Sequence, residues 1–319
     1  MHEHRSVPVV GQLVVVVSFA AALLCIPTPG FATPITLGSA LASFAVLGAA
    51  GVTNVPVSTI GGNLGSAPNP SIGGGYIFTA GSFQANTALA QQAQLDLDAA
   101  ILDVNAGLGT PIPFGDLIAY QGLHGGVISP GTYDVPAAII ANIGPLGTLV
   151  LDGGGSNAAE WRFRFPSTLV TSTTSNVRVQ NVGDGSNVGI YWSVGTAATL
   201  NGNTFAGNVL AHDLISSDGD LTIACGRLLS AETQVTLIHD NISIGCTGAV
   251  VGNGGVLLDV GSSGGFARGV TPPPGSVLAG GSHGEVVSSV PEPATLLLLG
   301  SGLVGVARSK RRRIASGRP

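Results

Sequence analysis

Between Asn86 and Ala106 the apolar residues Leu89, Ala93, Leu97, Ala100, Ile101 and Val104 recur three or four positions apart. Gln91, Gln94, Asp98 and Asp103 lie mostly off that stripe. The spacing predicts an amphipathic α-helix, which Ala, Leu and Gln favour and which Gly107 is placed to end. A single apolar stripe must lie along something. After Gly107 the pattern changes to short apolar runs such as "GTLVLDGG", "EWRFRF", "VGIYWSV", "QVTLI" and "NISIG", broken by Gly, Pro, Asn and Asp. These predict β-strands, with no second helical period and no glycine-rich fingerprint joining a strand to a helix. In "EWRFRF" Glu160, Arg162 and Arg164 alternate with Trp161, Phe163 and Phe165. Period two places the aromatic rings in the core and the charges on solvent.

The glycines add a longer period. Gly207, Gly226 and Gly245 are spaced nineteen residues apart, with apolar runs and Thr, Ser or Asn between them. A two-sheet sandwich is one way to use many short strands. The interval argues for another: nineteen residues at about 3.3 Å each close a loop of roughly 60 Å, one three-sided coil of a solenoid. Stacked coils bury a continuous apolar column, and Gly recurs where each coil turns a corner.

Composition agrees with a Gly-punctuated β protein. Of 319 residues, 45% are hydrophobic, only 9% are charged, and 49 are Gly. A disordered chain has the opposite balance, and the Gly residues lack the strict triplet of collagen. Arg5 followed by "LVVVVSFAAALLCI", with Pro27 and Pro29 closing the run and "GFA" before Thr33, reads as an export signal over residues 1–32 rather than a membrane helix. At the other end Pro291, Glu292 and Pro293 precede the fourteen-residue apolar run Ala294–Ala307, which is short for a full membrane span. Five of the next six residues are Arg or Lys, which hold that end on the cytoplasmic side. Residues 249–289, rich in Gly, Ser and Pro and including "TPPPG", read as a flexible spacer.

Without the two ends the charge balance shifts. Arg162, Arg164, Arg178, Arg227 and Arg268 face fifteen carboxylates, the seventeen of the whole chain less Glu3 and Glu292, a balance of −10. No nucleic-acid partner fits that surface. Cys25 leaves with the signal, and Leu24 before it argues against a lipid anchor. Cys225 and Cys246 remain, twenty-one apart in an oxidising compartment, where a disulfide is favoured over two free thiols. A metal site needs more ligands than this neighbourhood offers.

Two resemblances follow. The order Pro291–Glu292–Pro293, apolar run, basic cluster resembles the PEP-CTERM sorting signal of bacteria (residues 290–313), which implies processing by an exosortase and transient membrane contact; residues 314–319 are a tail. "LGSALASFAVLGAAGVTNVPVSTIGGNLGSAPN", "LAQQAQLDLDAA", "ISPGTYDV", "STLVT" and "GTAATLNGNTFAGNVLA", with "GRLLSAETQVTL" in the place of a last coil, resemble the secreted microbial ice-binding proteins. The resemblance spans Thr36 to Ile244, within a domain over residues 33–248. It implies a mainly β fold: a right-handed, three-sided β-solenoid with one long α-helix packed alongside. It also implies adsorption to an ice surface through a flat face of Thr, Ser, Ala and Asn, with no cofactor and no catalysis.

Candidate face positions are Thr53, Thr59, Thr171, Thr173, Thr174, Thr196, Thr199, Ser217, Thr222, Thr236 and Asn241. A constant nineteen-residue step puts Thr222 beside Asn241 and Ser217 beside Thr236. It also puts Thr204 in line with Ile223 and Ile242, hence inward, and Thr199 in line with Asp218 and Leu237. Many of these Thr residues have a second explanation, since Thr favours strands.

Two further functions compete. One is a cell-envelope or exopolysaccharide-matrix structural protein that keeps the fold without ice activity. The other is a glycan-cleaving enzyme, which needs clustered carboxylates or a base poised near neutral pH. Asp213, Asp218, Asp220, Glu232 and Asp240 are near one another only in sequence and read as solvated turn residues. His212 and His239 are twenty-seven apart, out of step with the coil.

Overall fold

The structure is a computed structural model that describes residues 35–136, 147–183, 185, 187–245, 247–251, 257–259 and 285–287. A short helix α1 (Ser39–Ala42) leads into six strands: β1 (Phe44–Gly48), β2 (Gly51–Val55), β3 (Ser58–Gly61), β4 (Asn63–Ser66), β5 (Tyr76–Ala80) and β6 (Phe83–Ala85). Then comes α2 (Ala88–Asn105), one turn shorter in all than the apolar stripe predicts. The Thr87 hydroxyl accepts from Ala90 N at its start, and Gly107, at φ +76, follows its end. After β7 (Thr110–Pro111), α3 (Leu117–Leu123) and β8 (Gly131–Asp134), the chain winds through β9 (Thr148–Asp152), β10 (Glu160–Phe165), β11 (Leu169–Val170), β12 (Asn176–Gln180), β13 (Gly189–Val194) and β14 (Ala198–Leu200). It continues through β15 (Thr204–Ala211), β16 (Ile215–Ser217), β17 (Thr222–Ser230), β18 (Gln234–Ile238) and β19 (Asn241–Ser243). Three strands, β20 (Thr247–Val251), β21 (Leu257–Asp259) and β22 (Glu285–Val287), lie mostly in the stretch that composition assigns to a featureless spacer.

The fold is mainly β, with parallel strands curled into stacked coils. Pairing runs in three ladders. The first is β7–β8–β10–β13–β15–β17–β1–β4–β6. The second is β11–β14–β16–β18–β2, extended by a bridge from Val52 to Ile72. The third is β9–β12–β15–β17–β19–β3–β5. β15 and β17 serve the first and third because each bends midway, at the paired residues Gly207 and Gly226. A Cβ on Gly207 would sit 2.5 Å from Ile190, and one on Gly226 would collide with the Gly207 carbonyl, so these two corners admit no side chain.

The coils do not follow chain order. The first six strands stack on the last coil, with β1, β2 and β3 pairing β17, β18 and β19. Neither glycine spacing nor apolar periodicity carries any trace of that seam.

Two cores result. Inside the coils lie in-register columns such as Leu169–Ala198–Ile215–Val235–Val52 and Phe163–Trp192–Val209–Leu228–Val46, all buried. Outside the first ladder, Leu47, Leu210, Leu229 and Tyr191 pack against Ala90, Ala93, Leu97, Ala100 and Val104 of α2. Each large side chain buried there contributes about 1.5–3 kcal/mol.

That second core corrects one expectation. Trp161, Phe163 and Phe165 do face the coil interior, but Arg162 and Arg164 are not on solvent, being 3% and 9% exposed. Period two separates two faces without saying which is wet, and here the outer face lies under the helix layer. Arg162 donates to Glu160 at 2.7 Å, while Glu160 also accepts from Ile35 N. Arg164 bonds Asp134 through Nε at 2.6 Å, and its Nη1 reaches the carbonyls of Asn105, Ala106 and Gly107 at the end of α2. Arg227, wholly buried, spans Asn208 Oδ1 and the Ala42 carbonyl. Burial lowers its guanidinium to about 10.

Candidate ice-contacting face

The second ladder presents one outward column. Val170 pairs with Thr199, Thr199 with Ser216, Ser216 with Thr236, and Thr236 with Thr53. All five are half-exposed, and their inward neighbours are buried. Hydroxyls meet along the column: Ser216 Oγ lies 3.4 Å from Thr199 Oγ1, and Thr53 Oγ1 donates to Thr236 Oγ1 at 3.2 Å. Parallel strands in register repeat about every 4.8 Å, so four hydroxyl-bearing side chains stand in rank at that spacing. No member of the column is charged. Ile238 pairs with Val55 on one flank and Gln234 with Gly51 on the other.

This column corrects the nineteen-residue arithmetic. The step from Thr199 to Ser216 is seventeen and from Ser216 to Thr236 twenty, so Thr199 lines up with Ser216 rather than with Asp218 and Leu237. Ser217 points inward, 7% exposed, and donates to Asp240. Thr171 is also internal and donates to the Asn201 carbonyl. Thr173 and Thr174 are exposed in the turn between β11 and β12. Thr196 lies just after β13, its hydroxyl oxygen buried without a hydrogen bond.

The remaining candidates fall on the third ladder, in the column Asn176–Thr204–Thr222–Asn241–Thr59–Ile77. Thr204 is exposed there and bonds Asn176 Oδ1 at 2.9 Å. Its inward assignment fails because β17 has a bulge: the pairing shifts after Phe205, and the coil is eighteen residues long before the bulge and nineteen after it. Cys225 is the added residue, at φ +64 and fully buried; Cys246 lies outside the described residues.

The two columns differ in surroundings. Helix α2 packs on the first ladder and α3 against β9 of the third. The third ladder is also joined by β20 on β12 and β22 on β5. The second stands as a separate five-stranded sheet.

Among the described residues the titratable groups do not assemble a reaction centre. His212 and Asp213 are 3.1 Å apart, both well exposed at a corner. Asp240 is 1% exposed instead of solvated: Oδ1 accepts from Leu221 N at 3.1 Å, and Oδ2 accepts from Ile238 N at 3.0 Å and from Ser217 Oγ. Burial pushes its carboxyl above the usual range, against the pull of those bonds. A groove of about 640 Å³ lies at the end of α2, but its Arg164 and Asp134 are committed to each other. Among the described residues no group of three His, Cys, Asp or Glu side chains is placed to hold a metal ion.

Residues 46–243 match the ice-binding-like family. The chain belongs to that family. Residues 289–313 match the PEP-CTERM protein-sorting motif, which lies outside the described residues and marks an exported chain, extracellular or associated with the envelope. The family member is 30% identical over 299 residues to an ice-binding protein of Nostoc sp. (strain HG1), covering 91% of this chain and 92% of that one. Among solved structures it is similar to an ice-binding protein of the Antarctic ascomycete Antarctomyces psychrotrophicus, at 28% identity and a TM-score of 0.55, covering 66% of this chain and 98% of that one. It is also similar to an ice-binding protein from an Antarctic biological consortium, at 30% identity and a TM-score of 0.57, covering 66% of this chain and 91% of that one.

Proposed function

We propose that this is a non-catalytic ice-binding protein that adsorbs to ice through the outer surface of the second ladder and so limits ice growth and recrystallisation. The observation that carries the proposal is the column Val170–Thr199–Ser216–Thr236–Thr53. Short side chains in rank, each with a methyl or a hydroxyl, hold ordered water at a spacing close to a lattice repeat. Many weak contacts act at once, so neither charge nor a deep pocket is required. Family membership supports the same function, as do the names of the Nostoc and Antarctic relatives.

Several features of the working protein belong to this proposal. The coils form a right-handed solenoid with three sides, one for each ladder, and α2 lies along the first. Residues 1–32 are removed by signal peptidase. Residues 33–248 form the domain, 249–289 join it to the sorting segment 290–313, and an exosortase reads that segment during transient membrane contact. Cys225 and Cys246 form a disulfide. Exopolysaccharide at the cell surface is the partner that the competing matrix function would take.

The test is recrystallisation inhibition and ice shaping by the purified mature chain. Faceted, slowly coarsening crystals are expected. Round crystals that coarsen as they do in buffer sink the proposal and leave the matrix protein, for which retention on a glycan column is the corresponding measurement.

A further inference from the structure

The hydroxyl column crosses the seam between two chain segments that are far apart in sequence, so something must set the height of one against the other. Asp240 lies at that crossing, in the turn between β18 and β19. Its carboxylate reaches the coil before it, through Ser217 Oγ and Leu221 N, and its own coil through Ile238 N. Its main chain reaches the coil after it: Asp240 N donates to Ser58 Oγ at 2.8 Å, and Thr59 N donates to the Asp240 carbonyl at 2.8 Å. From Ser58 the bonds continue: Ser58 Oγ donates to Asn54 Oδ1 at 2.8 Å, and Asn54 Nδ2 to the Gly75 carbonyl at 2.6 Å.

This polar chain runs through four successive windings just behind the second ladder. Ser217 follows Ser216 in sequence, Asn54 follows Thr53, and Ile238 is two residues beyond Thr236. Three of the four outward hydroxyls, those of Ser216, Thr236 and Thr53, are therefore one or two peptide units from a bond that fixes their strands along the stacking direction. Apolar columns alone resist separation of the coils but resist sliding only weakly, because dispersion has no direction. Hydrogen bonds with set geometry resist sliding. A face that must match a lattice needs its rows held to a fraction of an ångström, as any preorganised site does.

We propose that Asp240, acting with Ser217, Ser58 and Asn54, is the positioning residue of the ice-contacting face, setting Thr53 in register with Thr236 and Ser216. The proposal rests on the second ladder being that face.

The test uses the full mature chain and four variants: Asp240→Asn, Ser58→Ala, Thr236→Tyr, and Leu97→Ala on the buried side of α2. Thermal hysteresis is measured beside circular dichroism at the assay temperature and the melting midpoint. Asp240→Asn and Ser58→Ala are expected to stay folded in the cold and lose most of the hysteresis. Leu97→Ala is expected to lower the melting midpoint by at least as much and keep the hysteresis. If Asp240→Asn does not fold, Ser58→Ala, which removes only the bond from Asp240 N and the bond to Asn54 Oδ1, carries the test. Full hysteresis in folded Asp240→Asn or Ser58→Ala, with Thr236→Tyr inactive, overturns the positioning role alone. An equal loss in Leu97→Ala also overturns it, since stability is then the whole effect. Full hysteresis in Thr236→Tyr overturns the choice of face, and the positioning role with it.

Discussion

Thr53 and Thr236 are 183 positions apart in the chain and adjacent on the second ladder, their hydroxyl oxygens 3.2 Å apart. The face they share is therefore built from two segments that meet only after the chain has travelled out through β6, back along α2 and up through the remaining coils. Its continuity depends on tertiary stacking rather than on a local repeat. Adsorption should accordingly be lost whenever the N-terminal coils detach, even with the later coils intact.

A matched pair of substitutions separates the two candidate faces. Thr53 and Thr59 are six residues apart, both half-exposed, on the second and third ladders. Thr53→Tyr places a ring at the seam end of the hydroxyl column and should abolish most of the thermal hysteresis. Thr59→Tyr should leave it within error. Both are outward positions, so stability should shift by only about 0.5 kcal/mol either way. Activity that follows Thr59 and ignores Thr53 would move the face to the third ladder.

Arg164 ties the end of α2 to the first ladder, with Nη1 on three carbonyls of residues 105–107 and Nε on Asp134. Hydrogen bonds to a charged group contribute about 1.5–3 kcal/mol each when buried, and these are not additive. Arg164→Ala should therefore destabilise the fold by about 3 kcal/mol in urea unfolding. Amide exchange should rise first in the last turn of α2. Ice activity of the folded fraction should persist, because Arg164 does not reach the second ladder.

The helix and most later strands were legible because each announces itself locally. Gly107 closes α2, and Leu97, Ala100 and Val104 mark its buried side. "EWRFRF", "VGIYWSV" and "QVTLI" became β10, β13 and β18. The face was harder to read, for two physical reasons. Coil length varies by single residues: ahead of the bulge at Cys225 the step from Thr204 to Thr222 is eighteen, which turns Thr204 outward, and the twenty-residue step from Ser216 to Thr236 turns Ser217 inward. The column also ends on Thr53, whose neighbour across the seam no periodicity can supply. Arg162 and Arg164 misled for a related reason, since alternation is blind to a helix that covers the outer face.

The cysteines give a covalent test of the bulge. Cys225 occupies the added position of β17 at φ +64, a conformation that a residue with a Cβ adopts only when its surroundings hold it. A bond to Cys246 would close a loop of about twenty residues, for which chain entropy suggests about 3 kcal/mol. Peptide mapping without reductant should recover the two cysteines in one linked species. Reduction should lower the melting midpoint, and Cys225→Ser should reproduce that loss without reductant. Two free thiols on mapping would remove the cross-link.

Asp240 also predicts how stability depends on pH. Burial, assisted by Asp218, raises its carboxyl above the unfolded value in spite of the bonds from Ser217, Ile238 and Leu221. The folded chain thus holds the Asp240 proton more tightly than the unfolded chain does. Its favourable contribution is complete below the unfolded pKa, near 3.9, and is lost as pH rises through the higher folded value. Asp152 acts in the opposite sense: burial raises it, but bonds from Gln180, Gly154 and Asn181 outweigh that and hold it low, so its contribution is lost as pH falls through its folded value. Comparison with Asp240→Asn isolates the first effect, because Asp152 and every other group titrate alike in both proteins. The melting midpoint of the natural chain minus that of Asp240→Asn should fall as pH rises from below the unfolded carboxylate value to neutrality. A difference that grows over that interval would mean that the bonds to the ionised form outweigh its burial.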